Sequence, residues 1–257
     1  MRARVVAVAN QKGGVGKTTT AINLGATLAA YERRTLLLDL DPQSNCSSGL
    51  GCDGSGGATS YEVVIDGATI GAAARPTEFP HLAIVPATPD LAGAEVELVG
   101  MVGREFRLRD ALAEDGLEPY EFAFIDCPPS LGLLTLNALA AADGLLVPIQ
   151  CEYFAMEGVS MLMATVDEVR RYLNPGLTID GVLLTMYDER TNLAQQVAEE
   201  VRGVFGNLVF ETLVPRNVRL AEAPSFGRPI HSYDLRSRGS QAYLQLGREY
   251  LERTGKA

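Results

Sequence analysis

The sequence lacks tryptophan altogether and has only two histidines, four cysteines and three lysines in 257 residues. The cysteines show neither a C-x-x-C spacing nor a disulfide framework, which predicts reduced thiols in a cytosolic protein. Two scattered histidines argue against a His-rich metal site. No apolar run approaches the roughly 18 residues that span a bilayer, and no signal-peptide pattern precedes the first predicted strand. Together these absences predict a soluble cytoplasmic protein.

Positive charge is also scarce, since 32 Asp and Glu outnumber 22 Lys and Arg and give a net charge of −10. An acidic total speaks against nucleic acids and anionic membranes as partners, because both attract basic surfaces. The imbalance is uneven along the chain, however. Residues 214–257 carry eight basic and four acidic side chains, a local charge of +4, and the remainder carries −14. Counted alone, such a basic segment is typical of an ordinary solvated surface.

The chain does have a regular alternation of short apolar runs with longer helical patterns. Most of these runs lack polar alternation, which is typical of strands buried on both faces of a parallel sheet. We therefore predict an α/β fold with a doubly wound, mostly parallel sheet flanked by helices, formed by residues 1–257 as a single domain. The predicted strands are Arg4–Ala9, Thr35–Leu40, Leu82–Pro86, Phe122–Asp126, Gly144–Ile149, Ile179–Thr185 and Leu208–Val214. The predicted helices are Thr18–Tyr31, Asp90–Val99, Arg104–Ala113, Leu131–Ala142, Gly158–Leu173, Leu193–Phe205 and Ser240–Leu251.

A glycine-rich loop joins the first predicted strand to the first predicted helix. Its glycines, Gly13, Gly14 and Gly16, allow backbone N–H groups to turn toward a phosphate, and the helix N-terminus adds the positive end of its dipole. Lys17 supplies a charge for the β- and γ-phosphates, and the Thr18 hydroxyl is placed for Mg²⁺. This strand–loop–helix context predicts a P-loop for ATP. A glycine turn capped by threonines is the simpler alternative.

A second lysine distinguishes this loop from the general P-loop pattern. That pattern, G-x-x-x-x-G-K-[ST], calls for glycine at position 11, where this chain has Gln11, and Lys12 follows it. A lysine so close to the loop either points to solvent or binds a phosphate. Because Lys17 already fills the cradle of its own protomer, Lys12 is a candidate for contacting a nucleotide held by another subunit.

Two further predicted strands end in carboxylates. Ligands bind at the carboxyl ends of strands in open α/β sheets, and strand alternation puts Asp39 and Asp41 on one face. The apolar strand that ends at Asp126 predicts a Walker B carboxylate that holds Mg²⁺ through water. A simpler alternative is that Asp39 and Asp41 only cap the backbone at the end of their strand. An iron–sulfur ligand is the alternative for Cys127, and we do not favour it because no second cysteine is suitably placed.

The segment NQKGGVGKTTTAINL, residues 10–24, resembles the deviant Walker A motif of the ParA/MinD ATPases, and in particular of the ParA/Soj chromosome-partition branch. The similarity extends from Val5 to Leu251 and includes LDLDPQ and DCPP. It implies an ATP-sandwich dimer in which Lys12 contacts the phosphates of the facing protomer and Gly13 lies at the dimer seam. The implied catalytic residues are Lys12, Lys17 and Asp41, the last of which positions the attacking water. The implied Mg²⁺ residues are Thr18, Asp39 and Asp126. The implied phosphate-binding residues are Gly13, Gly14, Val15, Gly16, Lys17, Thr18 and Thr19.

Three other segments match the same family. In QCEYFAMEG, residues 150–158, the resemblance makes Glu152 a candidate for meeting the opposing protomer at the nucleotide interface. A second segment implies contact with the nucleotide base from Pro215, Arg216 and Asn217. The third implied role is DNA binding, and its residues are Arg190, Arg219 and, as an addition, Arg238.

The resemblance implies a slow ATPase for chromosome partition. An ATP-bound homodimer would bind double-stranded DNA without sequence preference and associate with the nucleoid. A ParB/Spo0J-like centromere-binding protein would stimulate hydrolysis and so release it. The alternatives are a MinD-like membrane-associated ATPase, a relative that positions another cargo, and a small-molecule synthase or kinase. We expect no membrane binding, because residues 250–257 are short, mixed in sign and weakly apolar.

Overall fold

The structure is a computed structural model that describes residues 2–114, 116–153 and 155–256. Strands and helices alternate along the chain as the sequence predicts. The strands are β1 (Arg4–Val8), β2 (Thr35–Asp39), β3 (Arg75–Pro76), β4 (Leu82–Val85), β5 (Phe122–Asp126), β6 (Gly144–Gln150) and β7 (Thr178–Thr185). The helices are α1 (Lys17–Ala30), α2 (Asn45–Ser48), α3 (Ser60–Val64), α4 (Ile70–Ala73), α5 (Leu91–Val99), α6 (Arg107–Glu114), α7 (Leu133–Ala141), α8 (Ala155–Tyr172), α9 (Asn192–Phe205), α10 (Val218–Glu222), α11 (Ile230–Tyr233) and α12 (Arg238–Arg253).

The described strands form one sheet in the order β3-β4-β2-β5-β1-β6-β7. Every neighbouring pair is parallel except β3 with β4, which is antiparallel and only two residues long. β2 and β5 are buried along their whole length, because helices cover both faces of the sheet. The prediction of a mostly parallel α/β sheet flanked by helices is therefore confirmed.

Each face of the sheet has its own apolar core. One core packs α5 to α9 against the sheet, and the other packs α1, α11 and α12. In the second core the ring of Tyr250 lies 5.9 Å from that of Phe122 and 5.8 Å from that of Phe124. α12 approaches α1 so closely that a Cβ on Gly247 would meet the Thr27 side chain at 2.5 Å. The first and last helices thus form a single layer on one face of the sheet.

The seven predicted helices are all present, with ends shifted by at most three residues. The predicted strand Leu208–Val214 is wrong. Val209 makes an isolated bridge to β7, and the N–H groups of Phe210 and Val214 donate to β7 carbonyls at 2.9 and 3.0 Å, but the described residues form no continuous ladder there. The backbone N–H groups of Glu211 and Thr212 donate instead to the Glu249 carboxylate, at 2.8 and 3.0 Å. The Glu249 side chain of α12 therefore accepts hydrogen bonds from backbone N–H groups that would pair with a neighbouring strand in a regular sheet.

Candidate functional site

The loop after β1 is shaped by glycine and tied to the neighbouring strands. Gly14 and Gly16 have φ angles of +75° and +90°, which L side chains rarely adopt. The Asn10 amide donates to a β6 carbonyl at 2.8 Å, and the Thr185 hydroxyl, at the end of β7, donates to the Val15 carbonyl at 2.8 Å. These contacts fix the loop at the carboxyl edge of the sheet, where α1 begins. Thr185 was not predicted, because no motif marks it.

The two lysines of this loop have different surroundings. Lys17, at the first position of α1, is only 6% exposed, and its Nζ donates to the Lys12 carbonyl at 3.2 Å. Burial lowers the pKa of Lys17, and the charge of Asp126 opposes that shift. The Lys12 side chain lies nearer the surface and forms an ion pair with Glu152, which follows β6. The Lys17 ammonium therefore lies inside the loop, at the N-terminus of α1, and the Lys12 ammonium lies at the surface.

Asp126 is a buried carboxylate whose two oxygens have no close hydrogen-bonding partner among the described residues. It ends β5, pairs in register with Asp39 on β2, and is 1% exposed. Neither of its oxygens makes a hydrogen bond to the described residues, although the Thr18 hydroxyl is near enough to lower the pKa. Burial, followed by the charge of Asp39, raises the pKa of Asp126 well above its ordinary value. A cation would satisfy both oxygens, and Thr18 with Asp126 is the donor set that a P-loop uses for Mg²⁺.

The Asp39 carboxylate, by contrast, is engaged within the chain. It accepts from the Ser47 N–H at 2.8 Å, the Ser47 hydroxyl at 2.6 Å and the Asp41 N–H at 3.1 Å. Burial raises the pKa of Asp39 to about 6, against the lowering effect of these hydrogen bonds. Asp41 is 6% exposed and accepts from the Gln43 N–H at 2.9 Å. Asp39 therefore fixes the segment after β2, and Asp41 lies within that segment.

In the part of the chain that the structure describes, His, Cys, Asp and Glu side chains do not cluster into a metal centre. Among the described residues, no three His, Cys, Asp or Glu side chains are grouped as metal ligands. All four cysteines are free thiols, and burial raises the pKa of Cys127. These observations give no support to the iron–sulfur alternative for Cys127.

A cavity of about 370 Å³ opens beside the phosphate loop. Gly16 and Thr19 form one side of it, and the predicted base-contacting segment forms another, so the structure brings together residues almost 200 positions apart. The residues around the cavity are Gly16, Thr19, Thr185, Met186, Val214, Pro215, Arg216, Asn217, Val218, Leu220, Ala221 and Tyr243. Its size and largely apolar lining suit a nucleotide base and ribose.

Two hydrogen bonds connect α1 to the C-terminal part of the chain. The Thr20 hydroxyl and the Tyr243 hydroxyl, both buried, lie 3.1 Å apart. The Asn23 side chain accepts from the Ile230 N–H at 2.7 Å, at the start of α11. Sequence analysis did not identify these contacts, because the partners are more than 200 residues apart. They hold the helix of the phosphate loop against the segment that carries the basic residues.

The three predicted DNA-binding arginines are exposed and lie in the same region. Arg190 makes two hydrogen bonds with Asp188, at 2.8 and 2.7 Å, which lower the pKa of that carboxyl to about 2. Arg219 pairs with Glu222 at 2.7 Å and with Asp234 at 3.6 Å. The third arginine, Arg238, lies 3.6 Å from a carboxylate oxygen of Glu189. Each of the three is thus paired with a carboxylate of its own chain.

Comparisons with known proteins identify relatives along most of the chain. A family model described as an AAA domain matches residues 3–179. The chromosome partitioning protein ParA of Myxococcus xanthus is 60% identical over 97% of this chain and 88% of that protein. The chromosome-partitioning ATPase Soj of Thermus thermophilus is 52% identical over the full length of both. The solved structure of cobyrinic acid a,c-diamide synthase from Mycobacterium smegmatis, with bound ADP and magnesium, is 38% identical, covers 98% and 96% of the two chains and has a TM-score of 0.84.

The fold and the loop with two lysines define a P-loop NTPase with a deviant Walker A motif. The identities of 60% and 52% extend over nearly the whole chain. The chain belongs to the ParA/Soj family of chromosome-partitioning ATPases. This confirms the family that the motifs indicate, and the predicted cofactors, ATP and Mg²⁺, agree with the ligands of the solved relative.

Proposed function

We propose that this protein is an ATP-dependent DNA-partition ATPase, whose ATP-bound sandwich dimer binds DNA without sequence preference and leaves it after hydrolysis. The supporting observation is the difference between the two lysines of the phosphate loop. Lys17 is buried and directed along its own loop, whereas Lys12 reaches the surface and pairs with Glu152. One cradle needs one such lysine, so Lys12 is available for the nucleotide of a second copy.

In this proposal one protomer holds ATP through its loop and its base cavity. The backbone of residues 13–16, with Thr19, surrounds the phosphates, and Lys17 neutralises them. Pro215, Arg216 and Asn217 bound the base on the far side of the cavity. Thr18 and Asp126 hold Mg²⁺, with Asp39 behind them, and the bound ion offsets charge on the phosphates. The orphaned oxygens of Asp126 support this assignment.

Hydrolysis requires a water in line with the γ-phosphate, and Asp41 is the proposed residue that orients it. Asp41 lies two residues beyond the carboxyl end of β2, and its backbone N–H donates to the Asp39 carboxylate. In the dimer, Lys12 crosses to the facing phosphates, Gly13 lies at the seam, and Glu152 meets the opposing protomer. Lys12 must leave its partner Glu152 to do so.

DNA binding is assigned to Arg190, Arg219 and Arg238. Each protomer alone has few cations and a strongly acidic remainder, so its affinity for DNA should be low. A dimer doubles the number of phosphate contacts, and affinity should then fall steeply with salt. A ParB/Spo0J-like partner that stimulates the slow hydrolysis would release the dimer from the nucleoid.

The test is DNA binding with ATP, with ADP and without nucleotide, measured by fluorescence anisotropy on two unrelated duplexes over a salt series. We expect tight, sequence-independent and salt-sensitive binding with ATP only. Arg219→Glu should abolish this binding and leave dimerisation intact, as measured by light scattering. Equal binding in all three nucleotide states would contradict the proposal.

The membrane-associated alternative requires a C-terminal helix with a free apolar face. α12 instead buries Tyr243, Leu246 and Tyr250 in the core that it shares with α1. Among the described residues, no helix is both long and apolar enough to cross a bilayer. Vesicles of anionic lipid should therefore fail to sediment this protein with ATP, and strong sedimentation would favour the alternative.

One observation favours a synthase, namely the name of the 38% identical protein from Mycobacterium smegmatis. That function predicts ATP turnover that rises with cobyrinic acid and is indifferent to DNA. The partition function predicts the opposite response. A phosphate-release assay with each addition separates the two.

A further inference from the structure

A second and larger cavity adjoins the proposed base cavity. This groove has a volume of about 710 Å³ and is bounded by the segment after β7, by α12 and by the residues just before α10. It shares Pro215, Arg216 and Val218 with the base cavity. Its charged residues are four arginines and two acids: Arg190, Arg216, Arg236, Arg238, Asp188 and Glu189. We refer to it as the arginine groove.

Two of these arginines are already paired. Arg190 forms a two-hydrogen-bond pair with Asp188, and Arg238 lies beside Glu189. Arg190 and Arg238 neutralise Asp188 and Glu189, so the other two arginines give the groove a net positive charge. Within the described part of the chain, the guanidinium groups of Arg216 and Arg236 make no hydrogen bond or ion pair, although the charge of Arg216 helps to lower the pKa of Asp188. A phosphate can therefore bind them without breaking any internal pair.

We propose that Arg216 and Arg236 bind backbone phosphates of DNA in the arginine groove, while Arg190 and Arg238 first neutralise its acids. This inference rests on the proposed DNA binding and adds two phosphate ligands to it. The groove suits a nucleic-acid backbone because arginine and amide side chains are the usual phosphate donors, and the exposed Gln241 and Gln245 also line it. Contacts of this kind carry no sequence information, in keeping with the proposed non-specific binding.

The shared wall gives this groove a direct connection to the nucleotide. Arg216 borders the base cavity on one side and the groove on the other. A nucleotide in the base cavity would therefore affect where DNA can bind in the groove of the same protomer. For the same reason, a change at Arg216 would affect both nucleotide and DNA binding. Arg236 borders only the groove and is the cleaner position for a test.

The experiment compares Arg236→Gln with the matched control Arg228→Gln in the full chain. Both arginines are exposed, lie in the same C-terminal segment and lose one charge, but Arg228 does not line the groove. Duplex DNA binding is measured with ATP between 50 and 200 mM salt. Loss of one phosphate contact per protomer should reduce the steepness of log affinity against log salt by about 0.9 for each protomer of the dimer. At 0.1 M salt, each lost contact should lower the affinity on the order of tenfold.

Arg236→Gln should keep wild-type dimerisation and basal ATP turnover, and Arg228→Gln should keep the wild-type slope. If Arg236→Gln also keeps the wild-type slope, or if both variants lose the same amount, the groove is not a phosphate site and the inference is overturned. If the wild-type protein fails to bind DNA with ATP, the proposed function itself is overturned, and the inference with it. The two failures are therefore distinguishable in one series.

Discussion

Replacing Lys12 by alanine should weaken nucleotide-dependent dimerisation strongly while sparing the fold. Among the described residues, the Lys12 side chain pairs with Glu152 alone, and the two side chains are 32% and 39% exposed. Solvent-exposed ion pairs contribute ~0.2–1 kcal/mol, so the free energy of unfolding should fall by no more than about 1 kcal/mol. ATP binding should persist, because Lys17 is a separate, buried cation in the same loop.

The effect on the dimer should be much larger. A charge-assisted hydrogen bond contributes about 1.5–3 kcal/mol, and a symmetric dimer has two from Lys12, about 3–6 kcal/mol in all. Releasing two Lys12–Glu152 pairs costs ~0.4–2 kcal/mol of that gain. A net loss of about 1–6 kcal/mol corresponds to a dimer dissociation constant raised by roughly fivefold to about ten-thousandfold.

Sedimentation velocity with ATP and magnesium, over a range of protein concentrations, measures this constant. Glu152→Gln is the matched control, because it removes the same ion pair and keeps the cation. We expect Glu152→Gln to shift the constant far less than Lys12→Ala does. Normal dimerisation of Lys12→Ala would refute the cross-subunit role. Equal losses in both variants would instead attribute the effect to Glu152, through its pair with Lys12 or through its proposed contact with the opposing protomer.

Three further predictions concern buried groups of the site. Asp41→Ala should hydrolyse ATP poorly and accumulate as a dimer on DNA, and unchanged phosphate release would remove it from the catalytic residues. The raised pKa of Asp126 means that the folded state binds its proton more tightly than the unfolded state, so the nucleotide-free protein loses stability as pH rises above the ordinary Asp range. Thermal unfolding should accordingly find nucleotide-free Asp126→Asn more stable than wild type by a margin that grows as pH rises above the ordinary Asp range, and a constant margin would contradict the assignment. Added magnesium with ATP should not stabilise Asp126→Asn further. Tyr243→Phe removes the buried hydrogen bond to Thr20 and should cost about 1 kcal/mol in denaturant titrations, with ATP affinity little changed because the ring that lines the cavity remains.

The positions of the phosphate loop and of the strand-end carboxylates were largely predictable, because they depend on local features. The loop from Asn10 to Thr19 needs glycines at left-handed positions, and Gly14 and Gly16 lie there. Asp126 was predictable from the apolar strand that precedes it. Such short-range features depend on backbone geometry within a few residues, which a sequence pattern records directly.

Contacts between distant residues were not predictable in this way. The apolar run at Leu208–Val214 has a strand-like composition, yet the Glu249 carboxylate of α12 binds its N–H groups. Thr185 and Tyr243 support the loop and the base cavity without belonging to any motif. Sequence patterns also do not predict that Arg190 pairs with Asp188, or that the Arg236 guanidinium makes no pair among the described residues, because both depend on which residues lie nearby in the fold.

The packing of α12 against α1 also sets an order of events during synthesis. The phosphate loop leaves the ribosome some two hundred residues before Tyr243 and the Pro215–Asn217 wall of the adjoining cavity. At about 5–20 residues per second, a nascent chain waits on the order of ten seconds or more before that cavity can close. We therefore expect nucleotide binding, and any assembly that depends on it, to begin only after that segment has been translated.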